Sequence, residues 1–309
     1  MYSNFFIFLT SYVLILLSVT GYGFLIVRAF PKFNITNNLG YIGLIGIFFL
    51  CIYSFTTSIF IKHDYIHNSV LIVIGFLSFF YFSNVFNKNN KKKFLYFLIV
   101  FSLLLFASFI FKMHDDFPYY HFKYSYILTQ NNIVFGLGHL NLGFRTPSSI
   151  FFLNSIFYLP IVKFYMFSMP AILIMGFTNL IIFEKINNNL ENNQVNYITF
   201  FSILSLLFIN IFFYRIAEHG TDKSAQILIF LLIIEILIFL DTKTLKENTL
   251  SKIYLLIGLV VSLKAFYVLY LILFFLLFFK VLSQKEISKS ILLEDGSCVH
   301  CLRSRSMGG

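Results

Sequence analysis

An acidic pair flanked by histidines is the first group of residues that could do chemistry. His114, Asp115 and Asp116 follow directly on an apolar run, and His121 lies shortly beyond them. Neighbouring carboxylates can act as a general base or hold a divalent cation such as Mg²⁺ or Mn²⁺, and histidines add ligands or proton carriers. The structural alternative is that Asp116, two residues before Pro118, is a helix N-cap with proline in the first turn.

A glycine-rich stretch that ends in arginine is the second group. Gly136, Gly138 and Gly143 surround His139, and Arg145 follows them. Glycine lets backbone N–H groups approach a ligand, and the guanidinium group can bind a phosphate through two parallel hydrogen bonds. The stretch therefore predicts either a phosphate-binding turn or an ordinary turn.

A second short loop concentrates ionisable side chains between two apolar runs. It contains Arg215, Glu218, His219, Asp222 and Lys223. Helix capping accounts for Asp222, but it gives no role to the arginine, the glutamate or the histidine. We expect this loop either to join the pocket of the acidic pair or only to connect its two helices.

Two further ionisable residues, Glu235 and Lys264, interrupt apolar runs. Such residues in a membrane are functional hypotheses by default. A mutual ion pair, or side chains that reach toward the membrane surface, would explain them equally well.

The elements that must position these groups are membrane-spanning helices. Of the 309 residues 59% are hydrophobic and 12% are charged, which excludes an ordinary soluble globule. The continuous apolar runs have the length of helical spans and lack the alternation of a β-barrel. We predict an all-α, polytopic transmembrane helical bundle of about eight spans (eight or nine). The runs are 5–27, 40–61, 69–86, 94–111, 164–183, 197–214, 225–240 and 253–282. The last run is either one tilted helix or a pair of half-length helices.

Lysines in the short connections predict the orientation. The densest cluster, which marks the cytoplasmic side, consists of Lys88, Lys91, Lys92 and Lys93. Alternation then places the loops 112–163 and 215–224 outside. The aromatic residues at 117–128 predict an interfacial helix, and the apolar stretch between Pro147 and Pro160 predicts a second interfacial or re-entrant helix. We expect an integral, multi-pass protein of the bacterial inner membrane.

Residues 1–290 are expected to form the transmembrane domain, and 291–309 an atypical, disordered tail. The three cysteines imply no disulfide framework, and Cys298 with Cys301 supplies too few ligands for a closed zinc site. The net charge of +10 is typical of basic loops that fix membrane topology. It predicts membrane lipids rather than nucleic acid as partners.

An acidic pair just after a span, then an aromatic interfacial helix, then a stretch with glycine and proline resembles the first outer loop of the GT-C superfamily. These multi-spanning glycosyltransferases use polyprenyl-phosphate-linked sugars. The resemblance covers about residues 112–160, with weaker support from 215–223, and it is one of layout. The acidic motif follows the fourth span here rather than the first, and members are normally longer, so we expect this chain to correspond to the amino-terminal part of such an enzyme.

The resemblance implies roles for individual residues. Asp115 or Asp116 would be the loop acid that accepts the proton of an acceptor hydroxyl, and would hold the divalent ion that some members bind. Candidates for stabilising the departing lipid phosphate are Arg145, Arg215 and Lys223. Further candidate substrate-binding residues are His114, His121, His139, Glu218 and His219.

Three other functions remain open from the sequence. A transporter or flippase of a lipid-linked or anionic substrate would use the same charged groups along a pathway, and it predicts internal repeats and polar groups near mid-membrane. A polysaccharide polymerase or ligase would depend more on the outer-loop arginines than on an acid. The last alternative is an inactive fragment.

Overall fold

The computed structural model describes residues 2–30, 38–83, 91–110, 115–145, 148–216, 221–242, 247–273 and 279–280. These residues form helices and turns without a β-strand, as predicted. The α-helices are α1 Tyr2–Ala29, α2 Leu39–Phe60, α3 Tyr65–Phe82, α4 Lys91–Ala107, α5 Phe122–Gln130, α6 Leu137–Leu140, α7 Ser149–Ser155, α8 Met169–Glu191, α9 Tyr197–Phe212, α10 Thr221–Asp241 and α11 Glu247–Leu263.

Several of these helices have the length and composition of membrane spans. Among the described residues five do: Phe5–Ala29, Leu39–Phe60, Tyr65–Phe82, Phe164–Glu191 and Asp222–Asp241. Two shorter apolar helices are Tyr197–Phe212 and Asn248–Leu263. The fold is compatible with an integral, multi-pass membrane protein, and the count of about eight spans stays a prediction.

Polar residues just ahead of the apolar runs determine where several helices begin. The side chain of Asn38 accepts a hydrogen bond from the backbone N–H of Tyr41 and caps α2. Asp64 accepts from two backbone N–H groups and caps α3. Asn196 caps α9 in the same way. Each cap satisfies backbone donors that a helix leaves unpaired.

The bundle has two distinct ends. One, the basic end, carries Lys91, Lys92, Lys93, Lys185 and Lys252. The other, the loop end, is formed by residues 115–145 and 148–168 between α4 and α8. The connection between α2 and α3 belongs to the loop end, because the backbone N–H of His63 donates to Leu128 O at 2.9 Å.

Glycines let the first three helices pack backbone against backbone. A Cβ atom on Gly21 would lie 1.9 Å from Gly75 O in α3, and one on Gly46 would lie 2.0 Å from Val19 O in α1. Helices in membranes associate through such close approaches of small residues, since burial from lipid supplies little driving force. These contacts fix α1 between α2 and α3.

The long final apolar run is broken at Lys264. This residue is extended, α11 ends just before it, and a 3₁₀-helix continues over Ala265–Ile272. Lys280 Nζ then donates to backbone carbonyls of Phe239 and Thr242 at the end of α10. The run therefore returns toward the basic end, which favours a pair of short helices over one tilted helix.

The segment between Pro147 and Pro160 is buried within the protein. Helix α7 buries every residue from Ile150 to Ser155. It packs between α2, α5 and α8. Of the two alternatives expected from the sequence, this burial fits a re-entrant helix and not an interfacial one.

Candidate functional site

The acidic pair lies at the loop end, opposite the lysines of α4. That helix begins with Lys91 at the basic end, runs for about 25 Å at 1.5 Å per residue, and leads to the pair. Asp115 is exposed and Asp116 is partly buried. His114, which the sequence assigned to the same group, lies outside the described residues.

Asp116 has the position of a helix cap without the usual capping bond. It precedes the π-helical turn Phe117–His121, with Pro118 in the first turn, but its side chain makes no capping hydrogen bond. The N-cap interpretation therefore explains the position of Asp116 before the turn, but its carboxylate has no capping role. π-Helical turns occur frequently at functional sites.

His121 closes this turn among aromatic rings. The side chain is 7% exposed, and its ring centroid lies 4.3 Å from that of Tyr120 and 5.4 Å from that of Phe151. The turn continues directly into α5, so the predicted aromatic helix exists. Its exposed residues include Tyr119 and Tyr126.

The glycine-rich stretch folds onto the π-helical turn. A Cβ on Gly143 would lie 2.5 Å from the Tyr120 ring, so only glycine fits beside that ring. Asn141 Nδ2 donates to Tyr119 O at 3.2 Å. Arg145 Nε donates to Gly138 O at 2.9 Å, which fixes the base of an exposed guanidinium. We call two segments together the rim: residues 115–121, which contain the acidic pair and the π-helical turn, and residues 136–145, which form the glycine-rich stretch.

His139 is exposed in the last turn of α6, on the same stretch. The structure thus brings together two of the three groups that the sequence singled out. The third group, the connection before α10, joins them indirectly. Lys264 Nζ lies 3.0 Å from Asp222, and the Ser148 hydroxyl donates to the carbonyl of neighbouring Leu263.

Arg215 and Lys223 are partly buried in that connection, whereas Glu218 and His219 lie outside the described residues. The end of α11 contacts both Ser148 and the start of α10, so the connection before α7 and the connection before α10 meet there. This part of the chain contributes cationic groups to the same end of the bundle as the acidic pair.

An apolar groove opens between α2, α7 and the end of α11. It has a volume of about 370 Å³ and is lined by Phe48, Ile52 and Phe55 of α2, with Phe152, Ser148 and Ser262 opposite them. Ser148, one of the residues that line the groove, follows Arg145 by three residues in the chain. Sequence reasoning missed it, although the spacing of the three α2 side chains places them on one helix face.

A neutral hydrogen-bond network anchors the loop end to the bundle; we call it the His63 network. His63 is fully buried, with Nδ1 2.6 Å from the Ser155 hydroxyl and Nε2 3.0 Å from the Thr57 hydroxyl. Asn68 Nδ2 donates to the carbonyls of His63, Ser155 and Tyr158. Burial, with a smaller effect of the His67 ring, lowers the pKa of His63 to about 3. The imidazole is therefore neutral, and its role is structural.

The mutual ion pair, one of the two structural alternatives for Glu235 and Lys264, does not form. Glu235 is 1% exposed at the basic end, where Lys185 Nζ lies 2.7 Å from its carboxylate and the Tyr41 hydroxyl donates to it. Lys264 instead pairs with Asp222 at the opposite end. Glu235 lies near the end of α10 and Lys264 just after the end of α11, and because these consecutive helices run in opposite directions the two residues lie at opposite ends of the bundle. Both residues are explained by ion pairs.

No group of three or more histidine, cysteine, aspartate or glutamate side chains that could hold a metal occurs in the described part of the chain. Asp115 and Asp116 offer two carboxylates, and two ligands from the protein do not make a closed site.

The fold and the composition of its helices are compatible with an α-helical, multi-pass membrane protein. The chain belongs to the family described as Domain of unknown function (DUF8201), whose model matches residues 5–298. The match extends into the segment 291–309, which lies outside the described residues. No curated protein and no solved structure is significantly similar to the chain.

Proposed function

We propose that this chain is a membrane glycosyltransferase that moves a sugar from a polyprenyl-phosphate-linked donor to an acceptor at the outer face of the bacterial inner membrane. The observation that carries the proposal is the rim. There, Asp115 and Asp116 and the turn that bears Arg145 are held together by the contacts of Tyr119 and Tyr120.

The rim offers the two charges that glycosyl transfer requires. One aspartate, Asp115 or Asp116, accepts the proton of the acceptor hydroxyl while that oxygen attacks the anomeric carbon. The bond between this carbon and the phosphate oxygen breaks, and the electron pair leaves with the lipid phosphate. General-base assistance of this kind contributes about 10²- to 10⁴-fold to a rate.

Arg145 supports the departure of the phosphate. Its exposed guanidinium is positioned through Nε, and an arginine fork matches the geometry of phosphate oxygens. Arg215 and Lys223 add positive charge from the second connection. Fixed cations at the point where negative charge develops lower the barrier.

The apolar groove supports a lipid-linked donor. Its volume of about 370 Å³ lies within the range of small-molecule sites, and its walls are mostly apolar. A prenyl chain in the groove would place its phosphate near Ser148, which follows Arg145 by three residues in the chain. A water-soluble sugar nucleotide would have no use for such a groove.

The test measures transfer of radiolabelled sugar in membranes that carry the wild-type chain, with a panel of polyprenyl-phosphate donors that each bear one hexose or pentose. We expect transfer from at least one donor, and a loss of about 100-fold or more in the Asp115→Asn and Asp116→Asn double variant. Wild-type membranes without transfer from any donor would refute the proposal. So would a double variant with full activity.

Asp64→Asn is the matched control. Asp64 is also an aspartate of the loop end, but its carboxylate caps α3. Asparagine is an equally good N-cap, so the substitution preserves folding and removes one negative charge from the same end. We expect transfer at the wild-type rate.

A further inference from the structure

The segment that precedes and enters the glycine turn exposes large apolar side chains outside any span. Phe135 is 91% exposed, Leu140 82% and Leu142 66%, and Val134 is also exposed. We call these four residues the apolar tip. Single exposed apolar side chains are common on proteins, but four of them within nine residues of one loop indicate an interaction surface.

A backbone hydrogen bond fixes the depth of the tip. The N–H of Ile133 donates to Ser58 O at 2.7 Å, and Ser58 lies in the last turn of α2, one of the candidate spans. Phe135 follows two residues later, so its backbone lies within about 7 Å of Ile133 even along an extended chain. The start of the tip is therefore close to the level at which α2 ends.

Exposed apolar residues at the end of α2 lie next to the residue that anchors the tip. Ile59 is 41% exposed and Phe60 75%, next to the carbonyl that anchors the tip. An apolar group at the depth where a span ends meets the boundary between acyl chains and headgroups.

Basic groups accompany the apolar ones. Gly136 has φ +86° and reverses the chain into the short helix α6, whose last turn carries the exposed His139. Arg145 is tied to Gly138 by the hydrogen bond from Nε. Apolar side chains with basic residues beside them are typical of segments that lie in the membrane interface.

We infer that the apolar tip inserts into the lipid leaflet at the loop end. Phe135, Leu140 and Leu142 contact the upper acyl chains, and His139 and Arg145 lie at the level of the lipid phosphates. The occupant of this surface is bulk phospholipid. The inference depends on exposure and on the anchor at Ser58, and it does not require the proposed glycosyl transfer.

The chain has no tryptophan, so a single introduced tryptophan reports its own surroundings. We would reconstitute the full chain with Phe135→Trp into phosphatidylethanolamine and phosphatidylglycerol vesicles, with and without lipids brominated on the acyl chains. Insertion predicts that brominated lipid reduces the emission about two-fold or more, and that iodide in the aqueous phase has little effect.

Gln194→Trp is the control. Gln194 is exposed at the basic end, in an asparagine-rich connection between α8 and α9. Iodide is supplied on both sides of the vesicle membrane. The emission of this tryptophan should be quenched by iodide and not by brominated lipid. Leu140→Trp repeats the measurement at the tip should the first variant fail to fold.

Emission of the tip variants that iodide quenches and brominated lipid does not would overturn the inference, because the tip would then lie in water. Protection from both quenchers would overturn it as well, since protein and not lipid would cover the tip.

Discussion

The buried carboxylate at the basic end and the acidic pair at the loop end are held in opposite ways. At the basic end, Glu235 is withdrawn from solvent and paired with Lys185 and Tyr41. At the loop end, Asp115 and Arg145 are exposed. The segments that carry them are held in place by a close contact of Gly143 and by hydrogen bonds between neutral groups. A buried, paired charge positions helices, whereas an exposed charge on a fixed backbone is available to a ligand.

The loop end can leave its charges exposed because other groups hold it together. The His63 network joins the α2–α3 connection to α7 with neutral donors and acceptors, all within the protein. A buried neutral network that is fully satisfied avoids the desolvation cost of buried charge.

Removal of the buried carboxylate at the basic end should have the largest effect on stability. Glu235→Gln leaves Lys185 without its counter-charge, and breaking a buried pair from one side costs about 3–5 kcal/mol. We expect a value near the lower limit, because Lys185 retains 20% side-chain exposure and can turn toward water. Denaturant unfolding of the purified chain in detergent measures the change.

Lys92→Met is the control for that experiment. Lys92 and Glu191 also pair at 2.7 Å, but both side chains are more than half exposed. Surface pairs contribute about 0–1 kcal/mol, so this variant should unfold almost as the wild type does. Equal losses in the two variants would contradict the contrast between buried and exposed charge.

Asn68→Ala should have the second largest effect. Three backbone carbonyls, those of His63, Ser155 and Tyr158, lose the amide that donates to them. We expect the free energy of unfolding to fall by about 2–3 kcal/mol. Asn187→Ala removes an exposed amide that donates to Glu191, and it should change the free energy of unfolding little. If the two variants were equally stable, the His63 network would not anchor the loop end.

The pH dependence of stability should reveal the buried imidazole. The pKa of His63 is lowered from 6.5 to about 3, so below pH 6.5 the unfolded chain binds a proton that the folded chain does not. Stability should therefore be complete above pH 6.5 and decrease as the pH falls toward 3, by about 1.4 kcal/mol per unit.

His63→Gln provides the comparison, since it cannot titrate. Relative to this variant, the wild type should lose about 2 kcal/mol between pH 7 and pH 5. Parallel profiles for the two chains would mean that His63 is protonated equally in both states.

Gly143→Ala should have the smallest effect on the stability of the fold and a clear effect on the rate of sugar transfer. The added methyl group would displace the Tyr120 ring and separate the arginine turn from the acidic pair. We expect a loss of about 1–2 kcal/mol in stability and a transfer rate about 10- to 100-fold lower, because misplacement by about 1 Å is costly in catalysis. An unchanged rate would show that the two segments act separately.

The sequence predicted an all-helical fold because the length of an apolar run is a local signal. The caps Asn38 and Asp64 are local signals too, but they were not recognised from the sequence. The sequence also singled out the acidic pair and the glycine turn, but it could not show that Gly143 lies against Tyr120. That contact depends on a turn whose direction no local pattern encodes.

Long-range pairing was the main limit. Glu235 has its partner in α8, and His63 pairs with Ser155 across a large separation in the chain. Isolated polar residues in apolar runs indicate that partners exist, but they do not identify them. The groove was missed for the same reason, because three separate segments form its walls.

The measurement that tests the division between the two ends most directly is the sidedness of single cysteines. In a chain with Cys51, Cys298 and Cys301 replaced by serine, Lys123→Cys reports on the exposed face of α5 at the loop end, and Gln194→Cys reports on the basic end. A membrane-impermeant maleimide is applied to intact cells and, separately, to permeabilised cells.

We predict that Lys123→Cys is labelled in intact cells and that Gln194→Cys is labelled only after permeabilisation, because the positive-inside rule places the lysine-rich end in the cytoplasm. The reverse pattern would place the rim in the cytoplasm and contradict the account.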